Sequence, residues 1–379
     1  MKIIVAPDSF KGSLTAVQAA KAMEEGIHRY DPTINVKLLP AADGGEGTMN
    51  SLISATSGKI TTHRVQDPLG RMIYADYGVL GDNETCVIEI AEASGLMLVT
   101  EHERDPLLTS SFGTGELIVH ALDAGYRKFI IGLGGSSTND AGTGMLTALG
   151  MKFLNRTGIE LALGGGALGE LSSIDCTLFD KRIAESTFII ASDVENPLVG
   201  SKGASYIFGP QKGATNETVK LLDENLLNFA TIIEKITGIQ LHNKTGAGAA
   251  GGAGGAFQAF FPSEMKRGID VVLEAISFNE HIRDAELILT GEGKTDTQTF
   301  SGKTPFGIAE IAEREGKPII LISGLVAEET RELLKPLFTE VHTVVGGDVT
   351  VEESMNESFL YLKLKTNKVI QDYLTKLKQ

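Results

Sequence analysis

The chain has 379 residues, of which 42% are hydrophobic and 22% charged, and its formal net charge is −15. That charge disfavours nucleic acids and anionic membrane surfaces as partners, because both are bound through clustered Lys and Arg side chains. A single domain usually has ~100–200 residues, so this length favours two domains. The sequence has no signal-peptide pattern and no run of ~18 apolar residues, and Cys86 and Cys176 lie far apart. A cytoplasmic protein with unpaired thiols is expected.

The first sixty residues alternate between strand and helix patterns. "KIIVA" at 2–6 predicts a buried strand, and residues 13–30 predict an amphipathic helix with Ser13 as its cap. A second strand, "NVKLLP", ends in the glycine turn "ADGG" and is followed by the helix "EGTMNSLISAT". Strands and helices that alternate over short links indicate parallel βαβ units.

The middle of the chain has a different character and predicts a second domain. Residues 59–99 are rich in β-branched and aromatic side chains separated by turn signals, which is typical of antiparallel strands. Beyond residue 284 strands and helices alternate again, in "AELILT", "TPFGIAEIAEREG", "KPIILIS" and "EVHTVV". We therefore predict an α/β protein with a Rossmann-like parallel-sheet domain from residues 1–60 and 285–379, and an inserted mixed α/β domain of residues 61–284.

Five predicted strands end in the same mixture of acids, hydroxyls, glycines and lysines. The segments are "APDSFKGS", "AADGGEGT", "GLGGSSTND", "SDVENP" and "TGEGKTD". In open α/β sheets, ligands bind beyond the carboxyl ends of the strands, where glycines let backbone amides approach an anion. Acids at the same place would repel an anion unless a cation intervened, and Mg²⁺ takes one or two carboxylates together with phosphate oxygens. These strand ends therefore predict phosphate chemistry with Mg²⁺.

Simpler structural interpretations of the same residues stay open. Asp8, Asp43 and Asp140 are also suitable helix caps, residues 67–70 form a good turn sequence, and "GAGAAGGAGGA" at 246–256 suits close packing. The sequence contains no P-loop and no G-x-S-x-G elbow. The dinucleotide pattern G-x-G-x-x-G occurs at 164 and 246, but neither copy follows a convincing buried strand.

Nine segments, taken in order, carry a family likeness. They are "APDSFKGS", "ADGGEGT", "DPLGR", "SFGTGEL", "GLGGSSTND", "SDVENPL", "FGPQKGA", "GAGAAGG" and "TGEGKTDTQTFSGKTPFG". Together they resemble the type 1, bacterial glycerate 2-kinase family from residue 1 to about residue 324. The resemblance implies transfer of the ATP γ-phosphate to a hydroxyl of D-glycerate with Mg²⁺, and 2-phosphoglycerate as the product. It also implies two α/β domains with the active site in the cleft between them. The one local departure, "NDAGTGM", concerns helix packing rather than chemistry.

We assign the roles of individual residues as predictions. Asp193 is the first candidate for the general base and Asp8 the second, and Lys294 is expected to neutralise charge on the transferring phosphoryl group. The glycerate carboxylate is expected to bind Ser9 and Lys11, with Arg71 as an outside candidate, and Mg²⁺ is expected to bind Asp43 and Asp296. The predicted nucleotide-binding set is Gly134, Gly135, Ser136, Ser137, Thr138, Asn139, Gly246, Gly248, Gly251 and Lys303.

Three other functions are compatible with parts of the pattern. The acceptor could be another small hydroxy acid, since one hydroxyl more or less leaves few traces in a sequence. A nicotinamide-dependent oxidoreductase would rest on G-x-G-x-x-G alone, and a two-domain clamp could bind a small anion without chemistry. The sequence gives no signal for the oligomeric state.

Overall fold

The computed structural model describes residues 1–347 and 349–378, and the chain forms two compact units. The first unit consists of Met1–Asp43, Asn50–Ser57 and Ile269–Gln379, and the second of Gly44–Met49 and Gly58–Gly268. Residues 44–49, 58–60 and 269–284 fall in a different unit from the one that the predicted bounds give them. A Cβ on Gly44 would lie 2.9 Å from the Gly268 Cα, so residues 44–49 pack within the second unit. A Cβ on Gly307 would lie 2.6 Å from the Ile269 Cγ1, so the later segment packs within the first.

The predicted α/β class is confirmed, with fifteen strands among the described residues. In chain order they are β1 (Lys2–Val5), β2 (Asn35–Leu38), β3 (Lys59–Gln66), β4 (Met72–Val79), β5 (Thr85–Glu89), β6 (Lys128–Gly132), β7 (Lys152–Leu154), β8 (Ser173–Asp175), β9 (Thr187–Ala191), β10 (Ser263–Lys266), β11 (Leu287–Thr290), β12 (Lys294–Thr295), β13 (Ile319–Ser323), β14 (Leu325–Val326) and β15 (Glu340–Thr343).

The helices separate most of these strands. They are α1 (Ala16–Tyr30), α2 (Thr48–Thr56), α3 (Ile90–Ser94), α4 (Phe112–Asp123), α5 (Thr143–Ala148), α6 (Ala204–Phe208), α7 (Asn216–Thr237), α8 (Ala253–Phe260), α9 (Gly268–Ala275), α10 (Phe278–Ile282), α11 (Thr304–Arg314), α12 (Arg331–Leu334), α13 (Val351–Asn356) and α14 (Ser358–Leu377). Within the described part of the chain, no helix combines the length and the apolar character needed to cross a membrane.

The five-stranded sheet of the first unit is parallel throughout and has the order β15-β13-β11-β1-β2. Its central strands are apolar and buried, as expected for parallel strands that helices cover on both faces. On one face, Met23 of α1 and Ile370 of α14 share a core with Ile3 and Leu289 of the strands. The strand order reverses between β1 and β11, because β2 lies on one side of β1 and the later strands on the other. Such a reversal leaves a crevice at the carboxyl ends of the two strands, where ligands commonly bind.

The predicted first helix is confirmed, but its predicted cap is wrong. Thr15, not Ser13, caps α1: its Oγ1 accepts a 3.2 Å hydrogen bond from the Gln18 amide, and the Gln18 side chain accepts a 2.9 Å bond from the Thr15 amide. The Ser13 hydroxyl instead donates to the Phe10 carbonyl at 3.0 Å and closes the turn before the helix. The sequence offered two hydroxyl residues two positions apart, and the turn geometry chose between them.

The second unit contains a six-stranded mixed sheet of order β10-β9-β6-β5-β4-β3. The antiparallel arrangement predicted after residue 59 is confirmed for β3, β4 and β5, whereas β5, β6, β9 and β10 are parallel. Phe129 of β6 stacks on Phe188 of β9 with ring centroids 4.7 Å apart, and Phe257 of α8 packs beside Phe188. Since the four parallel strands run in one direction, their carboxyl ends lie along one edge of the sheet.

Candidate active site

Two strand ends of the first unit bring Asp8 and Glu292 together. Asp8 follows β1 and Glu292 follows the neighbouring strand β11, and the Asp8 amide donates a 2.8 Å hydrogen bond to the Gly291 carbonyl. The Ser9 amide donates to Asp8 Oδ1 at 2.6 Å. These two acids therefore occupy the crevice that the reversal of strand order creates.

A hydroxyl network fixes Glu292, which is only 6% exposed. Its Oε1 accepts hydrogen bonds from Thr295 Oγ1 at 2.9 Å and from Thr299 Oγ1 at 2.8 Å. The Thr295 hydroxyl also lies 2.7 Å from Ser323 Oγ at the end of β13. Three neighbouring segments thus hold one carboxylate in a defined orientation.

Burial shifts the proton affinity of both acids in the same direction. Burial raises the pKa of Asp8 to about 6, with a further increase from the negative charge of Asp43, although the Ser9 amide favours the ionised form. Burial also raises the pKa of Glu292 to about 7, against the stabilising hydroxyls of Thr299 and Thr295 and the charge of Lys303. A cation placed beside these carboxyls would favour their ionised forms.

Thr304 adds a buried hydroxyl to this cluster. It is the first residue of α11, is fully buried, and lies beside Asp8, whose ionised form it favours. Its Oγ1 nevertheless makes no hydrogen bond of ordinary geometry with any residue that the structure describes. The N-terminus of a helix also carries partial positive charge, so α11 presents this end to the acids.

The other predicted residues of the first unit lie after β1, after β2, and in the segment from β12 to the start of α11. Lys294 is largely exposed, and its Nζ lies 3.3 Å from the Asp296 carboxylate. A Cβ on Gly293 would lie 3.0 Å from the Lys11 amide, so this glycine permits the close approach of the two loops. Seven predicted site residues belong to this unit: Asp8, Ser9, Lys11, Asp43, Lys294, Asp296 and Lys303.

The second unit gathers its own predicted residues at the carboxyl edge of its sheet. Asp193 follows β9, and its Oδ1 accepts a 2.9 Å hydrogen bond from the Gly268 amide that follows β10. A Cβ on Gly134, after β6, would lie 2.8 Å from the Gly45 Cα, and a Cβ on Gly44 would lie 3.2 Å from the Ala191 carbonyl. The glycines at these strand ends thus serve close backbone packing within the unit.

Glu89, at the end of β5, is a buried acid that the sequence analysis missed. It is 4% exposed and accepts hydrogen bonds from the amides of Met49 at 2.9 Å and Gly47 at 3.4 Å. Burial raises its pKa to about 7, because the loss of solvation outweighs these amide contacts. An acid directly after the apolar strand "TCVI" was the available signal, and it is the same signal that identified the other strand ends.

Glu89→Gln is expected to make folding stability less dependent on pH. The native state keeps the Glu89 proton up to about pH 7, whereas the unfolded chain loses it near the ordinary pKa of 4.5. Stability therefore falls as pH rises through this window, by on the order of 3 kcal/mol for this residue. Urea unfolding of variant and wild type from pH 4.5 to pH 8 should show a growing advantage for the variant. The exposed Glu170→Gln is the control, and a constant difference between Glu89→Gln and wild type would contradict the expectation.

The predicted nucleotide loop divides into an accessible and a buried part. Gly135 is exposed and Gly134 is half-buried, whereas residues 136–139 are buried. Lys212, itself 2% exposed, donates to Ser136 Oγ at 2.9 Å and to the Thr138 carbonyl at 2.7 Å. Burial lowers the pKa of Lys212 to about 7. This lysine fixes the loop from within, and its isolated position in "GPQKGA" gave no sequence signal for that contact.

Asp140, which ends the same loop, is a structural cap. It is fully buried and accepts hydrogen bonds from the amides of Ser111 at 2.8 Å, Gly142 at 3.1 Å and Gly144 at 3.2 Å, and from the Ser111 hydroxyl at 2.8 Å. Of the two interpretations of this acid, the geometry favours the cap, because one carboxylate satisfies donors at the starts of α4 and α5.

The glycine-rich segment after residue 245 packs tightly against other backbone. A Cβ on Gly248 would lie 2.3 Å from the Pro197 carbonyl, and one on Gly251 would lie 2.0 Å from the Thr138 carbonyl. Gly246 and Gly251 also have positive φ angles of 77° and 64°. Close packing therefore requires glycine at Gly248 and Gly251, and Gly246 packs against the Met265 side chain, whose Cε would lie 2.7 Å from an added Cβ.

Arg71 is engaged in a structural ion pair within the second unit. Its Nε lies 2.5 Å from Asp67 Oδ2 and its Nη1 lies 2.9 Å from Glu103 Oε1. Asp67 is 2% exposed and also accepts from the amides of Leu69 and Arg71, which forms the predicted turn. Arg71 Nη2 also donates to the Leu98 carbonyl at 3.2 Å, so each nitrogen of the half-exposed guanidinium has a partner within this unit.

Comparisons with known proteins show the family to which this chain belongs. The model of the glycerate kinase family matches residues 3–374. The chain belongs to the glycerate kinase family. A glycerate kinase of Bacillus subtilis (strain 168) is 46% identical over 96% of this chain and 95% of its own length. The glycerate 2-kinase of Escherichia coli (strain K12) is 44% identical, with 95% of this chain and 94% of its own length covered.

A solved structure supports the same membership in the glycerate kinase family. The crystal structure of a protein from Salmonella typhimurium LT2, provisionally named glycerate kinase 2, superposes with a TM-score of 0.91 and 42% identity. The match covers 100% of both chains. The predicted family and the predicted enzyme class, a phosphotransferase with an alcohol acceptor, are both confirmed.

Proposed function

We propose that this member of the glycerate kinase family transfers the γ-phosphoryl group of ATP to D-glycerate and forms 2-phosphoglycerate, with Mg²⁺ as the cofactor. The observation that carries the proposal is the cluster of Asp8, Asp43 and Glu292 beside Lys303 at the strand ends of the first unit. Phosphoryl transfer depends mainly on positioning and charge neutralisation, and a mixed cluster of acids and cations supplies both. A cytoplasmic location belongs to the same proposal, in keeping with two unpaired cysteines.

The donor groups of the first unit suit Mg²⁺. Among residues 1–347 and 349–378, no group of three or more His, Cys, Asp and Glu side chains is arranged to hold a metal by itself. Mg²⁺ does not require such a group, because it is usually held by one or two carboxylates together with phosphate oxygens and water. We propose Asp43 and Asp296 as its protein ligands, and the ion would supply charge neutralisation at the phosphates when bound.

For the general base we propose Asp8, with Asp193 as the alternative. Asp8 lies between the Ser9–Lys11 segment, proposed for the glycerate carboxylate, and the Glu292–Lys303 group. A base in that position is within reach of an acceptor hydroxyl and of the charges that receive the phosphoryl group. A pKa raised to about 6 is also compatible with proton transfer near neutral pH. Asp193 accepts a hydrogen bond from the Gly268 amide and stays the second candidate.

The remaining assignments take into account the partners that each residue already has. Ser9 and Lys11 are proposed for the glycerate carboxylate without Arg71, which is paired with Asp67 and Glu103. Lys294 and Lys303 are proposed to neutralise the transferring phosphoryl group. Nucleotide contact by the second unit stays a prediction, and Gly134 and Gly135 are the members of that set with accessible backbone.

An assay of ADP release across a panel of small hydroxy acids tests the proposal. We expect ADP to form only when D-glycerate and Mg²⁺ are both present, with much slower turnover of other hydroxy acids. Phosphorus NMR of the product then identifies the phosphorylated oxygen and is expected to give the 2-phosphate. Rapid turnover of a different hydroxy acid would mean that the protein is a kinase with another substrate. ATP-independent oxidation of a hydroxy acid would contradict the proposal as a whole.

A further inference from the structure

The first unit contains a cavity of about 230 Å³ whose apolar lining none of the predicted roles uses. It lies beyond the carboxyl ends of β1, β11 and β13, where Phe10, Gly293 and Gly324 contribute to its lining. Its far wall is formed by Val351 and Met355 of α13. The cavity therefore occupies the place where the order of this sheet reverses, which is the usual ligand position in an open α/β sheet.

Most side chains that line the cavity are apolar, and two lysines add positive charge to the lining. Phe10 is 4% exposed and Val344 is 7% exposed, whereas Met355 is 52% and Leu325 36% exposed towards the open side. Lys11 and Lys294 line the same cavity, and both are exposed. An apolar cleft bordered by two ammonium groups complements a ligand with a flat apolar ring and an anionic chain.

The backbone of the cavity floor is shaped for close approach. A Cβ on Gly324 would lie 2.4 Å from the Gly293 carbonyl, and the Gly324 amide donates to the Glu292 carbonyl at 3.0 Å. The two glycine turns therefore pack together without side chains between them. The same loop continues into Glu292 and Thr295, so the cavity adjoins the acid and hydroxyl cluster described above.

We propose that this cavity binds the purine base of the nucleotide, with the phosphate chain leading past Lys294 towards Asp8 and Lys303. The inference rests on the proposed ATP-dependent function and assigns the nucleoside half of the substrate, which the glycine loops of the second unit did not account for. Lys11 stands at the border of the cavity and in the segment proposed for glycerate, which puts the phosphate acceptor beside the end of the phosphate chain.

Two ligands separate base recognition from phosphate recognition. Isothermal titration calorimetry with the full-length protein would compare ADP with inorganic tripolyphosphate, which has the charges but no base. In the double variant Leu325→Asn/Met355→Asn, we expect the Kd for ADP to rise about tenfold or more, because the base loses apolar contact. The Kd for tripolyphosphate should stay within about twofold, since both substitutions are neutral and the lysines are intact. Both positions are partly exposed, so the fold should tolerate them.

A matched control removes two exposed apolar side chains elsewhere. Met97 and Leu178, which are 81% and 69% exposed in the second unit, are replaced in Met97→Asn/Leu178→Asn, and unchanged binding of both ligands is expected. Unchanged ADP binding by the cavity variant, or an equal loss for ADP and tripolyphosphate, would overturn the cavity assignment alone. If the wild type neither binds ADP nor releases it from ATP in the presence of D-glycerate, the result contradicts the proposed function itself, and the cavity assignment with it.

Discussion

Asp8→Asn is expected to lower kcat by a factor of ~10²–10⁴ while the Kd for ADP changes by no more than a few-fold. Asparagine has nearly the same shape and still accepts the hydrogen bond from the Ser9 amide, but it cannot take a proton from the glycerate hydroxyl. The loss should therefore fall on the chemical step rather than on nucleotide binding. Steady-state kinetics with D-glycerate and calorimetric titration with ADP provide the two measurements.

Two further variants test whether a loss of kcat in Asp8→Asn is specific to the general base. Asp31→Asn changes a partly exposed acid at the end of α1 and should leave both constants unaffected. Asp193→Asn is expected to change kcat much less than Asp8→Asn, because the asparagine keeps the acceptor for the Gly268 amide and Asp8, as the proposed base, is intact. If Asp193→Asn loses the larger factor and Asp8→Asn stays active, the general base is Asp193 and the first assignment from the sequence was the better one.

Asp140→Ala is expected to lower the free energy of unfolding of the second unit by about 3–5 kcal/mol. Three backbone amides and the Ser111 hydroxyl lose their common acceptor in a fully buried place. Lys212 also loses the nearby negative charge that favours its protonated form. Far-UV circular dichroism during urea unfolding should show a lower midpoint with a similar slope.

The control for this stability prediction is a partly exposed acid in a turn. Asp175 accepts a 2.8 Å hydrogen bond from the Thr177 amide at the surface, so Asp175→Ala should have little effect. Because water replaces the lost acceptor at the surface but not at Asp140, the contrast between the variants measures burial rather than turn chemistry. A wild-type midpoint for Asp140→Ala would mean that the donors at α4 and α5 find other partners.

Sequence patterns predicted the α/β class and most strands and helices of both units, because hydrophobic periodicity is a local property. The alternating strands and helices at the two chain ends and the antiparallel strands after residue 59 were both read from that pattern. The cap of α1 was misplaced by two residues, and the bounds of the compact units lie at other positions than the predicted joins. The cap depends on one hydroxyl contact, and the bounds of the units depend on contacts between segments that are distant in sequence.

The candidate site was predicted in its chemistry but only partly in its members. Acids, lysines and hydroxyls at strand ends were identified because a parallel sheet aligns its carboxyl ends along one edge. The "TGEGKTD" segment contains Glu292, to which the sequence assigned no role, although the hydroxyls of Thr295 and Thr299 hold its carboxylate. Arg71 was included on its charge, and its ion pair with Asp67 was a matter of three-dimensional proximity.

By itself, the sequence determined the secondary structure, the family and the kinds of side chain at the strand ends. Only the tertiary structure decided which of these side chains are buried and what they touch. Lys212 meets Ser136 across 76 positions of the chain, and Glu89 meets the Met49 amide across 40. Burial and the partners of a charged group set its pKa and its orientation, and both depend on segments that are far apart in sequence and adjacent only after folding.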